Sequence, residues 1–559
     1  MIQRNFIWVL VFLLLAAGPL SAQETDPIDA RIQSMSLEHR IAQMFLVTLH
    51  GQVMTEVGAA FLREWQPGGV VLFAANITSP EGVTRLTNSF QQTITEAGGP
   101  PMLISIDQEG GIVARLTEDK GFTVFPAPVL ITAAGGVMAF RVGAAVAQEL
   151  SAVGINMNLA PVADLETNRD NPIIFRRSFG NDPHVAGAAV AQFVRGTQSR
   201  GVLATAKHFP GHGETREDSH GELPRLDLSR ERLETVELVP FQQAIDAGVA
   251  AVMVAHIWYP QIDPTPNMPA SLSWPVMTGL LRQQMGYDGL IVTDALDMNA
   301  VDMTYNFYDA VVMSVQGGAD LLAMGPSVDI AVARQAMQRL VDEVRAGAID
   351  EQRINDSVRR ILQTKARFGI LDWTPLDPTS AHERVDAEGH ARLIEDLFRA
   401  GVTVAYDRNN HLPITPDRNV AIIFLGTRYQ IYHECGLYAN PANTRWLSVA
   451  MSPDSEQIAW AVEAANRAET AIVFTEEAIR NRDQQALVNA LPQEKTIAVA
   501  LWSAYDWQTY PNVAGFVAAY SPLRAAVPAI CEILFGQIPA RGQLALTLSD
   551  QLVAGSRAP

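Results

Sequence analysis

Short apolar runs alternate with amphipathic stretches along the first part of the chain. The runs are rich in Val, Ile, Leu and Ala. They lack the alternation of apolar and polar residues that marks a strand with one face exposed to solvent. Strands covered on both faces have this composition, so the pattern indicates a parallel sheet. The runs occupy residues 41–49, 69–74, 102–106, 155–159, 202–206, 251–255, 290–293 and 319–324.

Helical stretches lie between these runs, at residues 80–97, 138–153, 185–200, 229–247 and 274–285. Eight strands alternating with helices over roughly 330 residues predict an α/β fold, a (β/α)8 TIM-type barrel with insertions. A doubly wound open sheet is the alternative. It is less favoured because no G-x-G-x-x-G follows the first strand and no G-x-x-x-x-G-K-[ST] occurs.

The pattern changes after about residue 369. Residues 371–388 are rich in Pro, Asp and Thr, which is typical of a linker. A helix over 391–400 and a strand over 402–406 follow, and later apolar runs at 420–424, 471–474, 496–501 and 513–519 flank a helix at 455–468. These elements predict a smaller α/β domain, an αβα sandwich.

The chain begins with the features of a secretory signal peptide. Arg4 precedes an apolar run over residues 6–17, and small residues follow up to Ala22, where cleavage is expected. The run is short for a membrane span, and an uncleaved anchor is the alternative. The predicted organisation is a signal peptide at 1–22, a barrel at 27–370, a linker at 371–395 and a sandwich domain at 396–559. The mature protein is expected to be exported, to the periplasm or the medium, without stable membrane insertion.

Length, composition and charge narrow the classes of protein. A chain of 559 residues is longer than the segment that one hydrophobic core usually supports, so two domains are expected. Its 48% apolar and 18% charged residues are typical of a globular protein. A net charge of −19 argues against nucleic acid or an anionic membrane as a partner. Cys435 and Cys531 stand far apart in the sequence, and we predict two buried thiols rather than a disulfide.

Ionisable residues follow five of the eight apolar runs. One such residue after a strand is often only the N-cap of the next helix, but five at the same end of a sheet indicate a site. The residues are Asp107, Asp164, Lys207 with His208, His256, and Asp294.

The loop over residues 206–220 is too polar and too bent for a core or a surface helix. It carries Asp218 and His220, and a carboxylate two residues from an imidazole can orient the ring and stabilise its charged form. Together with Asp294, this pair suits glycoside hydrolysis, which needs a nucleophile or base and a proton donor. Lys207, Arg115 and Arg177 would donate to sugar hydroxyls or carbonyls.

Three other interpretations of this loop stay open. His208, His212 and His220 could ligate zinc, although their spacing crosses a Pro-Gly turn. His212 could contact substrate or only hydrogen-bond within the loop. Asp218 and His220 could belong to a plain surface turn.

The residues of the loop match a known pattern. Lys207-His208-Phe209-Pro210-Gly211-His212-Gly213, followed after four residues by Asp218-Ser219-His220, resembles the signature of bacterial β-N-acetylglucosaminidases of glycoside hydrolase family 3. The resemblance spans roughly residues 30–370, and the rest is similar to the sandwich domain of two-domain members. The other matching segments are residues 107–111 with Arg115, 177–179, 269–273, 289–294 and 295–298.

The resemblance implies an exo-acting enzyme that removes terminal N-acetylglucosamine with retention of configuration. Asp294 would be the nucleophile, with Asp297 as a rival placed in a helix, and His220, oriented by Asp218, the acid/base. No metal and no cofactor are implied. The sugar would be bound by Asp107, Arg115, Arg177, Lys207, His208 and His212.

The export signal suggests peptidoglycan fragments or chitooligosaccharides as substrates, whereas the oligomeric state is not indicated. Ile112 departs from the family pattern, where arginine is frequent. The alternatives are another family 3 β-glycosidase or a phosphorylase that uses phosphate as acceptor. More remote ones are a metal-dependent barrel hydrolase and a non-catalytic binder of cell-wall fragments.

Overall fold

The computed structural model describes residues 26–218, 221–302 and 304–558. The predicted signal peptide at 1–22 and the predicted acid/base His220 lie outside these residues. Among the residues that are described, no helix is both long and apolar enough to cross a bilayer.

Eight parallel strands form the first sheet, as the apolar runs predict. Its order is β7-β6-β5-β4-β3-β2-β1-β8, and a parallel bridge between Val292 and Leu321 joins its two ends into a barrel. The residues of all eight strands are buried, which explains why their sequences show no alternation. The strands are β1 (Phe45–Thr48), β2 (Gly69–Leu72), β3 (Leu103–Ile106), β4 (Met157–Asn158), β5 (Leu203–Phe209), β6 (Ala251–Val254), β7 (Leu290–Thr293) and β8 (Leu322–Ala323).

Helices surround the barrel, and most of them begin after a Ser, Thr, Asp or Asn whose side chain caps the first turn. Ser229 accepts a hydrogen bond from the backbone N–H of Arg232 at 3.1 Å and so caps the helix predicted over 229–247. That helix contains a π-helical segment, Leu233–Glu237, just before Pro240, which has no N–H to continue the ladder. A second π-helix is Pro275–Gln284. The α-helices of this region are Pro27–Ser34, Leu37–Ala42, Glu56–Trp65, Pro80–Glu96, Pro128–Ala134, Gly136–Ala152, Pro183–Gln198, Arg230–Arg232, Leu238–Asp246, Asn299–Asp302, Phe307–Gly317, Ile330–Arg345 and Glu351–Arg367.

The second domain is built on a mixed six-stranded sheet of order β11-β10-β12-β13-β14-β9. Only β9 is antiparallel to its neighbour, β14. The edge strand β11 is missing from the sequence prediction because its residues are partly exposed and include Arg445 and Ser448. The strands are β9 (Thr403–Asp407), β10 (Val420–Leu425), β11 (Thr444–Val449), β12 (Thr470–Thr475), β13 (Thr496–Ala500) and β14 (Gly515–Ala518).

The segment between the two sheets lies on the barrel surface. Arg384 donates two hydrogen bonds, at 3.1 and 2.9 Å, to the carbonyl oxygen of Ala152 at the end of a barrel helix. The α-helices from here to the C-terminus are Ala381–Val385, Ala387–Gly401, Gln430–Gly436, Ser455–Arg467, Arg482–Ala490 and Ala526–Leu534.

A disulfide joins Cys435 to Cys531, so the prediction of two free thiols is wrong. The two residues are 96 positions apart, and sequence distance alone gave no sign that the helices carrying them pack together. The bond ties Gln430–Gly436 to Ala526–Leu534 inside the second domain.

The last residues of the chain connect both domains. The N–H of Gln543 donates to the carbonyl oxygen of Ala133 on the barrel at 3.0 Å, and Thr547 exchanges two hydrogen bonds with the side chain of Asn181. The N–H of Ala558 then donates to the carbonyl oxygen of Val404 in β9 at 2.9 Å. We call residues 543–558 the C-terminal strap.

The buried side chain of Lys365 is expected to make the free energy of unfolding depend on pH. Its ammonium group is fully buried in the helix Glu351–Arg367 and donates to Oε1 of Gln43 at 2.9 Å. Burial, with a smaller effect of Arg31, lowers the pKa of Lys365 to about 7. An unfolded lysine has a pKa of about 10.4, so between pH 7 and 10 the unfolded chain binds the extra proton and the free energy of unfolding rises with pH.

We therefore expect a slope that approaches about 1.4 kcal/mol per pH unit from this group. Urea unfolding of the wild type and of Lys365→Met at pH 7, 8 and 9 measures it. The variant should lose this part of the slope, whereas Lys120→Met, which removes a partly exposed lysine, should keep it. Equal slopes for Lys365→Met and the wild type would contradict the prediction.

Candidate active site

A cavity of about 690 Å³ opens at the carboxyl ends of the barrel strands. This is the end at which barrel enzymes carry their sites, because the loops that follow the strands meet there. Eight of the nine predicted site residues line the cavity, and the ninth, His220, lies outside the described residues. The eight are Asp107, Arg115, Arg177, Lys207, His208, His212, Asp218 and Asp294.

A buried ion network forms one wall of the cavity. Arg177 donates from Nε and Nη2 to the two carboxylate oxygens of Glu109, both at 2.8 Å, and Lys207 Nζ lies 2.7 Å from Glu109 Oε1. Burial acts to raise the pKa of Glu109, but the charges of Arg177 and Lys207 outweigh it and hold the pKa well below its usual range. Glu109 therefore fixes both cations in place. Sequence reasoning did not assign it this role, although it lies in the matched segment at 107–111.

Asp107 continues this network toward the open part of the cavity. Lys207 Nζ donates to Asp107 Oδ1 at 2.6 Å, and Arg115 Nη2 lies 3.7 Å from Oδ2. The carboxylate keeps partial exposure while Lys207 is buried. Burial lowers the pKa of Lys207, and the carboxylates of Asp107 and Glu109 reverse this and raise it. Asp107 can therefore accept hydrogen bonds from a ligand while Lys207 remains charged.

Asp164 holds the two imidazoles at the end of β5. Its carboxylate accepts from the backbone N–H of His208, from His208 Nδ1 at 2.7 Å and from the backbone N–H of His212 at 2.7 Å. Because Nδ1 of His208 donates to a carboxylate, Nε2 is left to accept from Arg177 Nη2, 3.4 Å away. In the sequence Asp164 stands out only as a polar residue after the fourth strand, since its contact with the end of the neighbouring strand β5 has no local signal.

His212 is mostly engaged within its own loop. Nδ1 lies 2.9 Å from Oγ1 of Thr215, and burial, with the neighbouring His208, lowers the pKa of His212 to about 4. The ring is thus neutral near pH 7. It also lines the cavity, so contact with a substrate stays a prediction beside the observed bond within the loop.

Asp294 follows β7 and points its carboxylate into the cavity. Oδ1 accepts from the backbone N–H of Ala295 at 2.8 Å. Burial acts to raise the pKa of Asp294, but the nearby imidazoles of His208 and His256 and the Ala295 N–H bring it below its ordinary value. The carboxylate is therefore an anion at neutral pH.

His256 supports the backbone at Asp294. Its Nε2 lies 2.9 Å from the carbonyl oxygen of Ala295 and its Nδ1 lies 2.6 Å from Oγ of Ser271. A carbonyl only accepts, so Nε2 carries the proton and Nδ1 accepts from the serine hydroxyl. This arrangement fixes the turn after β7 and with it the direction of Asp294.

Asp297 lies in a turn, so its predicted place in a helix is wrong. The helix begins only at Asn299, because the carboxylate of Asp297 accepts from the backbone N–H groups of Gly325 at 2.8 Å and Ser327 at 3.1 Å. These bonds connect the loops after β7 and β8. Both carboxylate oxygens of Asp297 thus accept from backbone N–H groups of another loop, whereas Oδ1 of Asp294 accepts from the N–H of the next residue.

The loop after β5 has a fixed base and an exposed tip. Asn171 donates to the carbonyl oxygens of His212 at 2.8 Å and Gly213 at 3.1 Å, and a Cβ at Gly213 would lie 1.7 Å from the Leu165 carbonyl oxygen, so only glycine fits. Residues 216–218 are exposed, and Asp218 still lines the cavity. The carboxylates of Asp218 and Asp294 thus border the same space.

No group of His, Cys, Asp and Glu that could hold a metal ion occurs within residues 26–218, 221–302 and 304–558. The two described imidazoles of the loop have partners, Asp164 for His208 and Thr215 for His212.

Similarity to known proteins agrees with this geometry. The description "Glycosyl hydrolase family 3 N terminal domain" matches residues 36–364. The chain is 35% identical over 379 residues to the beta-hexosaminidase A of Pseudoalteromonas piscicida, a match that covers 63% of each chain. It is 31% identical over 363 residues to a beta-hexosaminidase of Bordetella avium, covering 64% of this chain and 96% of the relative.

A solved structure is similar over both domains. It is a glycoside hydrolase family 3 β-N-acetylglucosaminidase from Paenibacillus sp. str. FPU-7, with a TM-score of 0.75 and 32% identity, covering 92% of this chain and 99% of the other. The family match includes more than half of the chain, from before β1 to the last helix of the barrel. The predicted fold and the predicted glycoside hydrolase class are confirmed. The chain belongs to glycosyl hydrolase family 3.

Proposed function

We propose that this protein is an exo-acting, retaining β-N-acetylglucosaminidase that acts on N-acetylglucosamine-terminated glycans. The observation that carries the proposal is the placement of Asp294 and Asp218 on one cavity whose wall holds Arg177, Lys207 and Asp107. The names of the relatives, two beta-hexosaminidases and a β-N-acetylglucosaminidase, support the choice of sugar.

Asp294 would act as the nucleophile. An ionised carboxylate attacks the anomeric carbon and forms a covalent glycosyl-aspartate, which water then cleaves, so the configuration is retained. The lowered pKa of Asp294 supports this role, because the group does not need to lose a proton first. Its oxygen is oriented by the Ala295 N–H.

Asp218 and His220 would act as the acid/base pair. His220 lies outside the described residues, and the support for the pair is the position of Asp218 on the cavity and the two-residue spacing in the sequence. The imidazolium would protonate the leaving oxygen, and the neutral ring would then take a proton from water. Asp218 would orient the ring and stabilise its charged form.

The ion network would bind the terminal sugar. Asp107 and the Nε2 atom of His208 can accept from hydroxyl groups, while Arg115, Arg177 and Lys207 can donate to hydroxyl or carbonyl oxygens. The cations are already positioned by Glu109 and Asp107, so binding would need little rearrangement of the wall.

A panel of aryl N-acetylglucosaminide, glucoside and xyloside, each with and without phosphate, tests the proposal. We expect turnover of the N-acetylglucosaminide, with the β-anomer as the first product by NMR. Preference for the glucoside or xyloside would show another family 3 β-glycosidase. Release of a sugar phosphate would show a phosphorylase. First formation of the α-anomer would exclude the covalent route.

Replacing His220 with Ala should affect substrates according to their leaving groups. With a poor leaving group we expect kcat/KM to fall by about 10²- to 10⁴-fold, and with an activated aryl group much less, because the latter leaves without a proton. Measuring kcat/KM, which reports the step in which the leaving group departs, for aryl N-acetylglucosaminides of graded leaving-group pKa checks this. Asp218→Asn should follow the same trend, and Glu217→Gln on the same exposed loop serves as a control. Equal losses for all leaving groups would contradict the assignment of the acid.

We also propose that the protein is exported. The signal-like segment at 1–22 is one argument, and the Cys435–Cys531 disulfide is a second, since such bonds persist in oxidising compartments and are rare in the cytosol. Expression of the full chain, followed by cell fractionation and N-terminal mass analysis, tests this. A chain that stays in the cytosol with its first residues intact would refute the proposal.

A further inference from the structure

Arg176 and Arg177 are neighbours in the chain, but their side chains lie in different places. Arg177 lines the active-site cavity and donates to Glu109. Arg176 instead makes an ion pair with Glu477 of the second domain, and its guanidinium group lies over the ring of Trp502, 3.8 Å from the ring centre. Two adjacent side chains thus connect one backbone segment to the barrel interior and to the second domain.

The segment that carries both arginines is a long loop. Residues 159–182 run from β4 to the helix Pro183–Gln198, and residues 172–177 form turns. The N–H of Arg177 donates to the carbonyl oxygen of Ile174 at 2.8 Å, and Oδ1 of Asn171 accepts from the N–H of Ile174 at 2.7 Å. A loop keeps its shape through contacts of this kind, so a partner outside the barrel can influence the position of Arg177.

The second domain contacts this loop beside Arg177. Phe175 lies under the guanidinium group of Arg480, which is 5.0 Å from the ring centre. The ion pair between Arg176 and Glu477 is the stronger contact, because these side chains are only 23% and 24% exposed and the guanidinium group also stacks on Trp502. A partly buried pair of this kind is screened less by solvent than a surface pair.

Glu477 is held in place for this contact. Its backbone has φ 57° and ψ 40°, in the left-handed region that residues other than glycine rarely adopt. The turn that follows is fixed by the buried Asp506, which accepts from the N–H of Ile479 at 2.9 Å and from the hydroxyl of Thr475 at 3.0 Å. Such a backbone conformation persists where the surrounding structure enforces it. The second domain therefore presents a fixed carboxylate to Arg176.

We propose that Arg176 is a positioning residue for the binding of the terminal sugar. Glu109 fixes the guanidinium group of Arg177, while Arg176, held by Glu477 and Trp502, fixes the turn from which the side chain of Arg177 extends. The proposal rests on the proposed function, since it takes Arg177 as a group that binds N-acetylglucosamine. In the described part of the chain, every residue that lines the cavity belongs to the barrel, so the second domain acts on the sugar only through this contact.

Steady-state kinetics on an aryl N-acetylglucosaminide tests the proposal. In Arg176→Ala we expect KM to rise about fivefold to tenfold and kcat to stay within about twofold, as when an interaction is lost that binds substrate and transition state equally. The inhibition constant of free N-acetylglucosamine should rise by the same factor. A partly unfolded enzyme would behave differently, because a smaller active fraction lowers the apparent kcat and leaves KM unchanged.

Three further variants show whether the ion pair is responsible. Glu477→Gln should raise KM less than Arg176→Ala does, because the stacking on Trp502 remains. Arg176→Lys keeps a charge beside Glu477 and should recover part of the wild-type KM. The double variant, Arg176→Ala with Glu477→Gln, should raise KM no more than Arg176→Ala alone, since both changes remove the same contact.

Arg399→Ala is the matched control. Nε of Arg399 donates to Glu532 at 2.9 Å, and this pair joins the helices Ala387–Gly401 and Ala526–Leu534. The substitution removes an arginine–carboxylate pair of the same kind at a place that does not contact the loop of Arg177. KM should therefore stay at the wild-type value.

Three results would overturn the proposal. They are an unchanged KM in Arg176→Ala, an equal rise of KM in Arg399→Ala, and additive effects of the two changes in the double variant. If Arg176→Ala does not fold, Glu477→Gln takes its place, and an unchanged KM in that variant overturns the proposal as well. Failure of the proposed function is distinct, because the wild type would then not cleave the N-acetylglucosaminide.

Discussion

Replacing Asp294 with Asn is expected to lower kcat on an aryl N-acetylglucosaminide by at least about 10⁴-fold, as removal of a covalent nucleophile does. The amide keeps the size of the side chain and can keep the hydrogen bond from the Ala295 N–H, so the cavity should be unchanged. What is lost is the negative charge that would attack the anomeric carbon. Steady-state kinetics with an activated aryl group measures the loss directly, because departure of that group needs little help from an acid.

Asp297→Asn is the matched control for this experiment. Asp297 lies three residues away and also lines the cavity, but its carboxylate accepts from the backbone of Gly325 and Ser327. An asparagine has one acceptor oxygen and can keep one of these two hydrogen bonds, so a loss within about tenfold is expected. Full turnover by the Asp294 variant, or a larger loss of kcat in the Asp297 variant, would indicate that Asp297 is the nucleophile.

The largest expected effect on stability comes from Glu109→Gln. The carboxylate binds two buried cations, Arg177 and Lys207, at 2.7 to 2.8 Å. Removing one member of a buried ion network leaves the others without compensation and costs about 3–5 kcal/mol in the free energy of unfolding. Urea unfolding followed by tryptophan fluorescence measures it. The proposed binding of the sugar should also weaken, since Arg177 and Lys207 lose the group that fixes them.

Glu81→Gln provides the surface counterpart. Glu81 pairs with Arg85 at 2.6 Å on one helix, and both side chains are exposed. Solvent screens such a pair, so its loss should change the free energy of unfolding by no more than about 0.5 kcal/mol. If both variants lost the same small amount, the network around Glu109 would contribute no more than a surface ion pair.

The barrel strands could be predicted because strands that are buried on both faces consist mainly of apolar residues. Each run from 41–49 to 319–324 overlaps an observed strand. The strand Thr444–Val449 was not predicted, because an edge strand with one exposed side carries Arg445 and Ser448 among apolar residues. The disulfide was not predicted for a different reason: its cysteines are 96 positions apart, and nothing in the sequence between them indicates that two helices pack side by side.

The site was predictable in part for a geometric reason. Parallel strands bring their carboxyl ends to one place, so Asp107, Lys207 and Asp294 could be grouped without coordinates. The roles of Glu109 and Asp164 could not, because each depends on which side chain of a neighbouring strand end or loop it reaches. The predicted helical position of Asp297 was wrong. Its carboxylate accepts a hydrogen bond from the loop after β8, and the next helix begins only after it.

The C-terminal strap closes long loops of the chain. Gln543 and Thr547 bond to the barrel, the latter to Asn181 across 366 positions, and Ala558 bonds to β9, which itself pairs with β14. Bringing the ends of such long loops together costs conformational entropy before the contacts are gained, so these contacts are expected to form late in folding. The barrel, whose neighbouring strands are mostly consecutive in the sequence, can form before them.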